Sequence, residues 1–235
     1  MEQVMAVPEG SQAPRRRFLS RLGAAVAAFG AGSAVASAQS PAPSAFAPAR
    51  HPQDEWLTQL PGKHRIIIDA VSPKGAGEAV LYANNMYTTN KSAYSMDDKD
   101  LAIVIVMRHY AAPFALNDAA WAKYGELMAK MLDFHDPKTH EAPKVNLYNA
   151  AGYGQQLSNL GATIDTVTKK GAVIAICELA TRMATSQVAR QTGAEPAAVL
   201  KEVMGMALPA GRFVSAGVVA VTRAQELGYS LIYAG

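Results

Sequence analysis

The residues of this chain best suited to chemistry sit where apolar runs end. Cys177 is the single cysteine of the 235 residues; it closes the run Ala172-Val173-Ile174-Ala175-Ile176-Cys177 and is followed by helical spacing from Glu178. A thiol where a strand enters a helix meets free backbone amides and the positive end of the helix dipole, which favour a thiolate able to attack or to carry sulfur. Glu178 opposes that field, and unpaired cysteines are often buried and inert. With no partner for an internal disulfide, such a thiol in an oxidising compartment must be buried, put to use or tolerated.

Asp69, Arg108, His109 and Asn149 end or follow three further apolar runs. In open parallel sheets ligands bind beyond the carboxyl ends of the strands, so these four residues, with Cys177 and Glu178, define one candidate rim. Cys177 is the candidate catalytic residue; Asp69, Arg108, His109, Asn149 and Glu178 are candidates for ligand binding. Arg108 suits an anion, and His109 either moves a proton or serves as a hydrogen-bonded structural residue.

Other patterns carry less. His135-Asp136-Pro137-Lys138-Thr139-His140-Glu141 holds two histidines and two carboxylates but lacks the spacing of a standard metal cage, so no metal is assigned. Gly75-Ala76-Gly77 and Gly152-Tyr153-Gly154 complete neither a dinucleotide fingerprint nor a phosphate loop, which argues against a nucleotide cofactor. No Gly-x-Ser-x-Gly turn occurs, and the methionines fall at helical spacing as apolar fillers.

The elements that must hold the rim are strands alternating with helices. Residues 64–71 and 101–107 read as strands, and the second, apolar throughout, must be covered on both faces as in a parallel sheet. Residues 145–149, 172–177 and 229–233 complete five strands. Helical spacing covers residues 75–91, 117–132, 155–169, 178–191, 196–204 and 213–227. This alternation predicts an α/β fold: a three-layer α/β/α sandwich with a mostly parallel five-stranded sheet.

Ahead of that domain, Pro14-Arg15-Arg16-Arg17-Phe18-Leu19-Ser20 precedes a weakly apolar Ala/Gly run and then Ala36-Ser37-Ala38. The segment resembles a twin-arginine signal peptide, cut near Ala38, which implies export to the periplasm by the twin-arginine machinery. The run is too short for a membrane span, and none is expected in the mature protein. Residues 39–62, rich in Pro, Ala and Ser, read as a linker, and residues 63–235 as the folded domain. Of the chain's 22 basic and 19 acidic residues, residues 1–38 hold four and two, leaving 18 and 17. So nearly neutral a domain has no field to gather nucleic acid.

Gly171-Ala172-Val173-Ile174-Ala175-Ile176-Cys177-Glu178-Leu179-Ala180 resembles the apolar strand and Cys-x-x-Ala of DsrE/DsrF-like sulfur-relay proteins. Leu208-Pro209-Ala210-Gly211 and Gln225 with Leu227-Gly228-Tyr229 resemble that family's later turn and closing segment, and the likeness covers residues 64–235. The resemblance implies a DsrE-like fold, a homo-oligomer, and a small sulfur species bound or carried as a persulfide on Cys177 without any cofactor. The competing expectation is a non-catalytic ligand-binding or assembly module of the same fold.

Overall fold

The computed structural model describes residues 47–235, so the expected export segment and the start of the linker fall outside the described residues. Five strands, β1 (His64–Ala70), β2 (Leu101–Met107), β3 (Val173–Cys177), β4 (Gly211–Val214) and β5 (Ser230–Ala234), form one all-parallel sheet in the order β4-β3-β2-β1-β5. Seven helices accompany it: α1 (Glu55–Gln59), α2 (Pro73–Tyr94), α3 (Asp118–Leu132), α4 (Ile164–Lys169), α5 (Glu178–Thr192), α6 (Pro196–Met204) and α7 (Gly217–Glu226). The fold is thus the expected α/β sandwich. Among the described residues, no helix is long and apolar enough to cross a membrane.

Strand side chains alternate between the two faces, and each face is covered. Ile66, Ile68, Ile103, Ile105, Ile174 and Ile176 belong to the larger core, with residues of α2, α3, α5 and α6. Ile67, Val104, Val106 and Ala175 face the other way and pack with Trp56 and Leu57 of α1 and Val221 and Ala224 of α7. This double burial explains why β2 contains no polar residue.

Capping sets several helix starts. Ser72 accepts from the Gly75 amide ahead of α2, with Pro73 in the first turn, and Asn117 accepts from the Ala120 amide ahead of α3. Glycine at φ +70°, Gly193, ends α5.

Four details depart from the sequence expectation. Residues 145–149 form bends and turns, because the buried Asn146 ties them down with its side chain: its Nδ2 donates to the distant Phe114 O at 2.7 Å and Leu116 O at 2.8 Å, and its Oδ1 accepts locally from Tyr148 N. The fifth strand is instead Gly211–Val214, a short edge strand whose second half was expected in the last helix, and α7 begins only at Gly217. Of residues 155–169 only Ile164–Lys169 are α-helical, since Leu160 (φ 47°) and Gly161 (φ 87°) turn the chain through the left-handed region and Thr163 caps a new start. Ordered packing also begins before Lys63: Trp56 and Leu57 are buried, and the Leu57 carbonyl accepts from Arg65 Nη1 at 2.7 Å and Tyr229 OH at 2.7 Å.

Candidate functional site

The sheet register brings three of the predicted residues together. Met107 pairs with Ile176, so Arg108 and Cys177, one residue further along, leave β2 and β3 side by side. Asp69 lies one strand over, paired with Val106 on one side and Tyr233 on the other. By alternation Asp69, Arg108, Cys177 and Tyr233 share the face covered by α7. Gly217, the first residue of α7, closes over them: a Cβ there would lie 2.6 Å from Arg108 Cβ, so only glycine lets this helix start approach so closely.

A carboxylate inside a sheet must be paired. Asp69 is 6% exposed and receives a bidentate clamp, Arg108 Nε to Oδ1 at 2.7 Å and Nη2 to Oδ2 at 2.9 Å. Hydrogen bonding to Asp69 raises the Arg108 pKa above the usual arginine value, against a desolvation that lowers it. Charge interactions with Asp69, Tyr233 and Cys177 push the same way. Arg108 is therefore a permanent cation, about a quarter exposed, beside the thiol.

Cys177 caps α5 with its own sulfur, Sγ accepting from the Ala180 amide at 3.4 Å, and Thr181 Oγ1 donates back to the Cys177 carbonyl at 3.0 Å. The residue is 6% exposed. The Leu179 amide donates to Ser215 O at 3.3 Å, tying the α5 start to the β4–α7 connection. Ala216, before α7, offers no side-chain cap, whereas in α5 the Leu179 and Ala180 amides are already taken by Ser215 O and Cys177 Sγ. Around it stand exposed apolar side chains: Tyr110 after β2, Leu179 and Met183 on α5, Val218 and Val219 on α7, and Tyr233 at the end of β5.

The remaining predicted residues do not converge on the thiol in the same way. Glu178 is occupied by Arg182, whose Nε donates to Oε1 at 2.8 Å. His109 is exposed, takes φ +53°, and stacks on Tyr110 with ring centroids 4.3 Å apart. Asn149, without the strand expected to end at it, exchanges hydrogen bonds with Asp165 at the start of α4, accepting from its amide at 2.8 Å and donating to Oδ1 at 3.1 Å. Among the described residues, no group of three His, Cys, Asp or Glu lies together to hold a metal. Asp136, in the His135–Glu141 segment, is engaged by Tyr153 OH at 2.6 Å.

Gly217 and Tyr233 are the site neighbours that sequence reasoning missed. The signal for Tyr233 was its place in a terminal strand whose alternation matches Asp69. That for Gly217 was hidden by a helix expected to begin four residues earlier.

The rim thus sets one sulfur atom at the start of α5, beside a guanidinium that Asp69 fixes in place. The geometry leaves little room at that sulfur, so any reagent reaching it must be small. Comparison with protein-family models finds no match to this chain, and comparison with curated proteins finds none either.

Proposed function

We propose that this chain is a DsrE-like, periplasmic protein that carries a small sulfur species on Cys177. The observation that supports this reading is the neighbourhood of one sulfur: Sγ lies at the start of α5, in the field of Arg108, on a residue that keeps 6% of its surface exposed. The dipole of α5 and the Arg108 cation, partly offset by its Asp69 partner, favour a terminal persulfide anion. The residual opening suits an inorganic polysulfide better than a protein thiol. In the loading step the Cys177 sulfur attacks a sulfane sulfur of the polysulfide. A new sulfur–sulfur bond forms, one bond of the polysulfide breaks, the shortened polysulfide leaves with the bond's electron pair, and the thiol proton passes to solvent. The polysulfide is the oxidant, and no further electron acceptor is needed.

Incubation with inorganic polysulfide followed by intact-mass measurement tests this. The expected result is the added mass of a single sulfur atom on the native protein, removed by a thiol reductant and absent in Cys177→Ser. No added sulfur on the native chain, or the same addition in Cys177→Ser, overturns it.

The exposed Tyr110, Leu179, Met183, Val218, Val219 and Tyr233 favour a second reading, in which the rim is an interface of a homo-oligomer without covalent chemistry. A thiol that stays unmodified while the protein sediments as an assembly, dissociated by Val218→Asp, would support that reading.

A further inference from the structure

On the opposite side of the sheet from Asp69 and Arg108, α3 and α5 leave a groove between them. Its floor is aliphatic, formed by Leu116, Leu127, Met128, Met131 and Val188 with Ala184. Of the polar groups that line it, the three hydroxyls are already satisfied, while the amides of Gln187 and Gln191 also border a wider cleft. Thr181 Oγ1 donates to Cys177 O and Thr185 Oγ1 to Thr181 O, each within α5, while Tyr124 OH donates to Glu202 Oε2 at 3.0 Å. Away from those two amides the floor offers no free partner to a polar ligand, and water there loses hydrogen bonds. Its free space is about 40 Å³, enough for a few methylene groups and too little for a ring system.

The same groove widens into an open cleft of about 720 Å³ that shares Leu127, Met131, Ala184 and Gln187 with the floor. Its border carries Lys130, Arg182 and Arg190. Arg182 is shared with Glu178, whereas Lys130 and Arg190 make no ion pair among the described residues. No Asp or Glu lines either part of the groove. A narrow slot, apolar apart from two glutamine amides that it shares with the cleft and opening beneath two unpaired cations, is complementary to a molecule with an aliphatic chain and an anionic head.

We infer that the α3–α5 groove binds a free single-chain aliphatic carboxylate, with its chain end in the slot and its head between Lys130 and Arg190. The cleft also runs past His109, Tyr110, Ala180 and Met183 of the rim, but the binding makes no use of the Cys177 sulfur, so either proposal can fail without the other.

Titration of the full chain with dodecanoate below its micelle concentration, read by calorimetry, tests the inference. Saturable binding at one site is expected, with dodecyl maltoside, which has the same chain and no charge, binding at least about tenfold more weakly. Lys130→Gln and Arg190→Gln should each weaken dodecanoate about tenfold, the loss of one charge-assisted hydrogen bond, while Lys91→Gln on α2 leaves it unchanged. Ala184→Phe, filling the slot, should abolish binding. The two charge variants lie on the surface and decide the matter even if the filled variant does not fold. Absence of saturable binding, equal affinity for the uncharged chain, or indifference to both charge variants overturns the inference. Binding to anionic vesicles without binding of free dodecanoate overturns it too, because the partner is then a membrane surface.

Discussion

Arg108→Ala is expected to destabilise the protein by about 2–3 kcal/mol, somewhat less than the ~3–5 kcal/mol typical of a fully buried broken pair, because Arg108 keeps about a quarter of its side chain exposed. The loss comes from Asp69, left 8% exposed within the sheet without the two donors that now hold its oxygens. For a domain of this size, the shift is a drop of roughly 5–10 °C in the thermal midpoint. Asp69→Ala should cost less, since the freed guanidinium can turn toward water while a carboxylate in the middle of a sheet cannot. In Asp69→Ala/Arg108→Ala the loss should fall below the sum of the single losses, because neither charge is then stranded. Denaturant melts of the three variants measure this. Additive effects, or a larger cost for Asp69→Ala, would mean that the pair is not the element holding the rim.

A second large effect is expected in alkali. Burial pushes the Tyr148 hydroxyl up to about 12, with the Ser158 hydrogen bond lowering it and the Glu78 charge raising it slightly. Desolvation raises Tyr87 as well. A phenol whose folded pKa lies above its unfolded value of about 10 contributes full stability below pH 10 and loses it as pH rises toward its folded value. Tyr148 is 1% exposed, so the whole difference bears on folding. It should remove about 1.4 kcal/mol per pH unit between roughly pH 10 and 12. Tyr148→Phe gives up the hydrogen bonds to Pro73 O and Ser158 and should be less stable at pH 8, yet it should lose stability more slowly above pH 10. An unchanged alkaline slope in Tyr148→Phe would place the sensitivity elsewhere.

The strands that shape the rim were legible because their burial leaves no alternative. β2 has seven apolar residues in a row, β3 five, and β1 three consecutive isoleucines, which only a doubly covered sheet accommodates. Amphipathic spacing and caps likewise marked α2, α3, α5 and α6. The edge strand β4 was illegible because Gly211-Arg212-Phe213-Val214 is short and only partly buried, and carries no apolar run. It is a strand through its pairing with β3, where Gly211 opposes Ile174 and Cys177 opposes Val214. Residues 145–149 misled for the opposite reason. Their composition suits a strand, while one buried asparagine binds the carbonyls of Phe114 and Leu116, 32 and 30 positions back along the chain, and no composition reveals that.

The candidate site was legible in part for a similar reason. Once the sheet is parallel, the ends of β1, β2 and β3 must meet, which brings Asp69, Arg108 and Cys177 together. The clamp between Arg108 and Asp69 was not legible, because which charges pair depends on register and on the face each side chain takes. The groove between α3 and α5 depends on how far two helices stand apart, a distance no sequence pattern encodes.

The claim on which the sulfur chemistry depends is that the Cys177 sulfur can be reached from the rim by a small reagent while the protein stays folded. Parallel labelling of the native chain with methyl methanethiosulfonate and with a polymer-linked maleimide tests it most directly. Reaction of the small reagent at a rate insensitive to low denaturant, with the bulky one reacting only across the unfolding transition, is the predicted result. If both reagents wait for unfolding, the sulfur is sealed, and Cys177 serves only to cap α5.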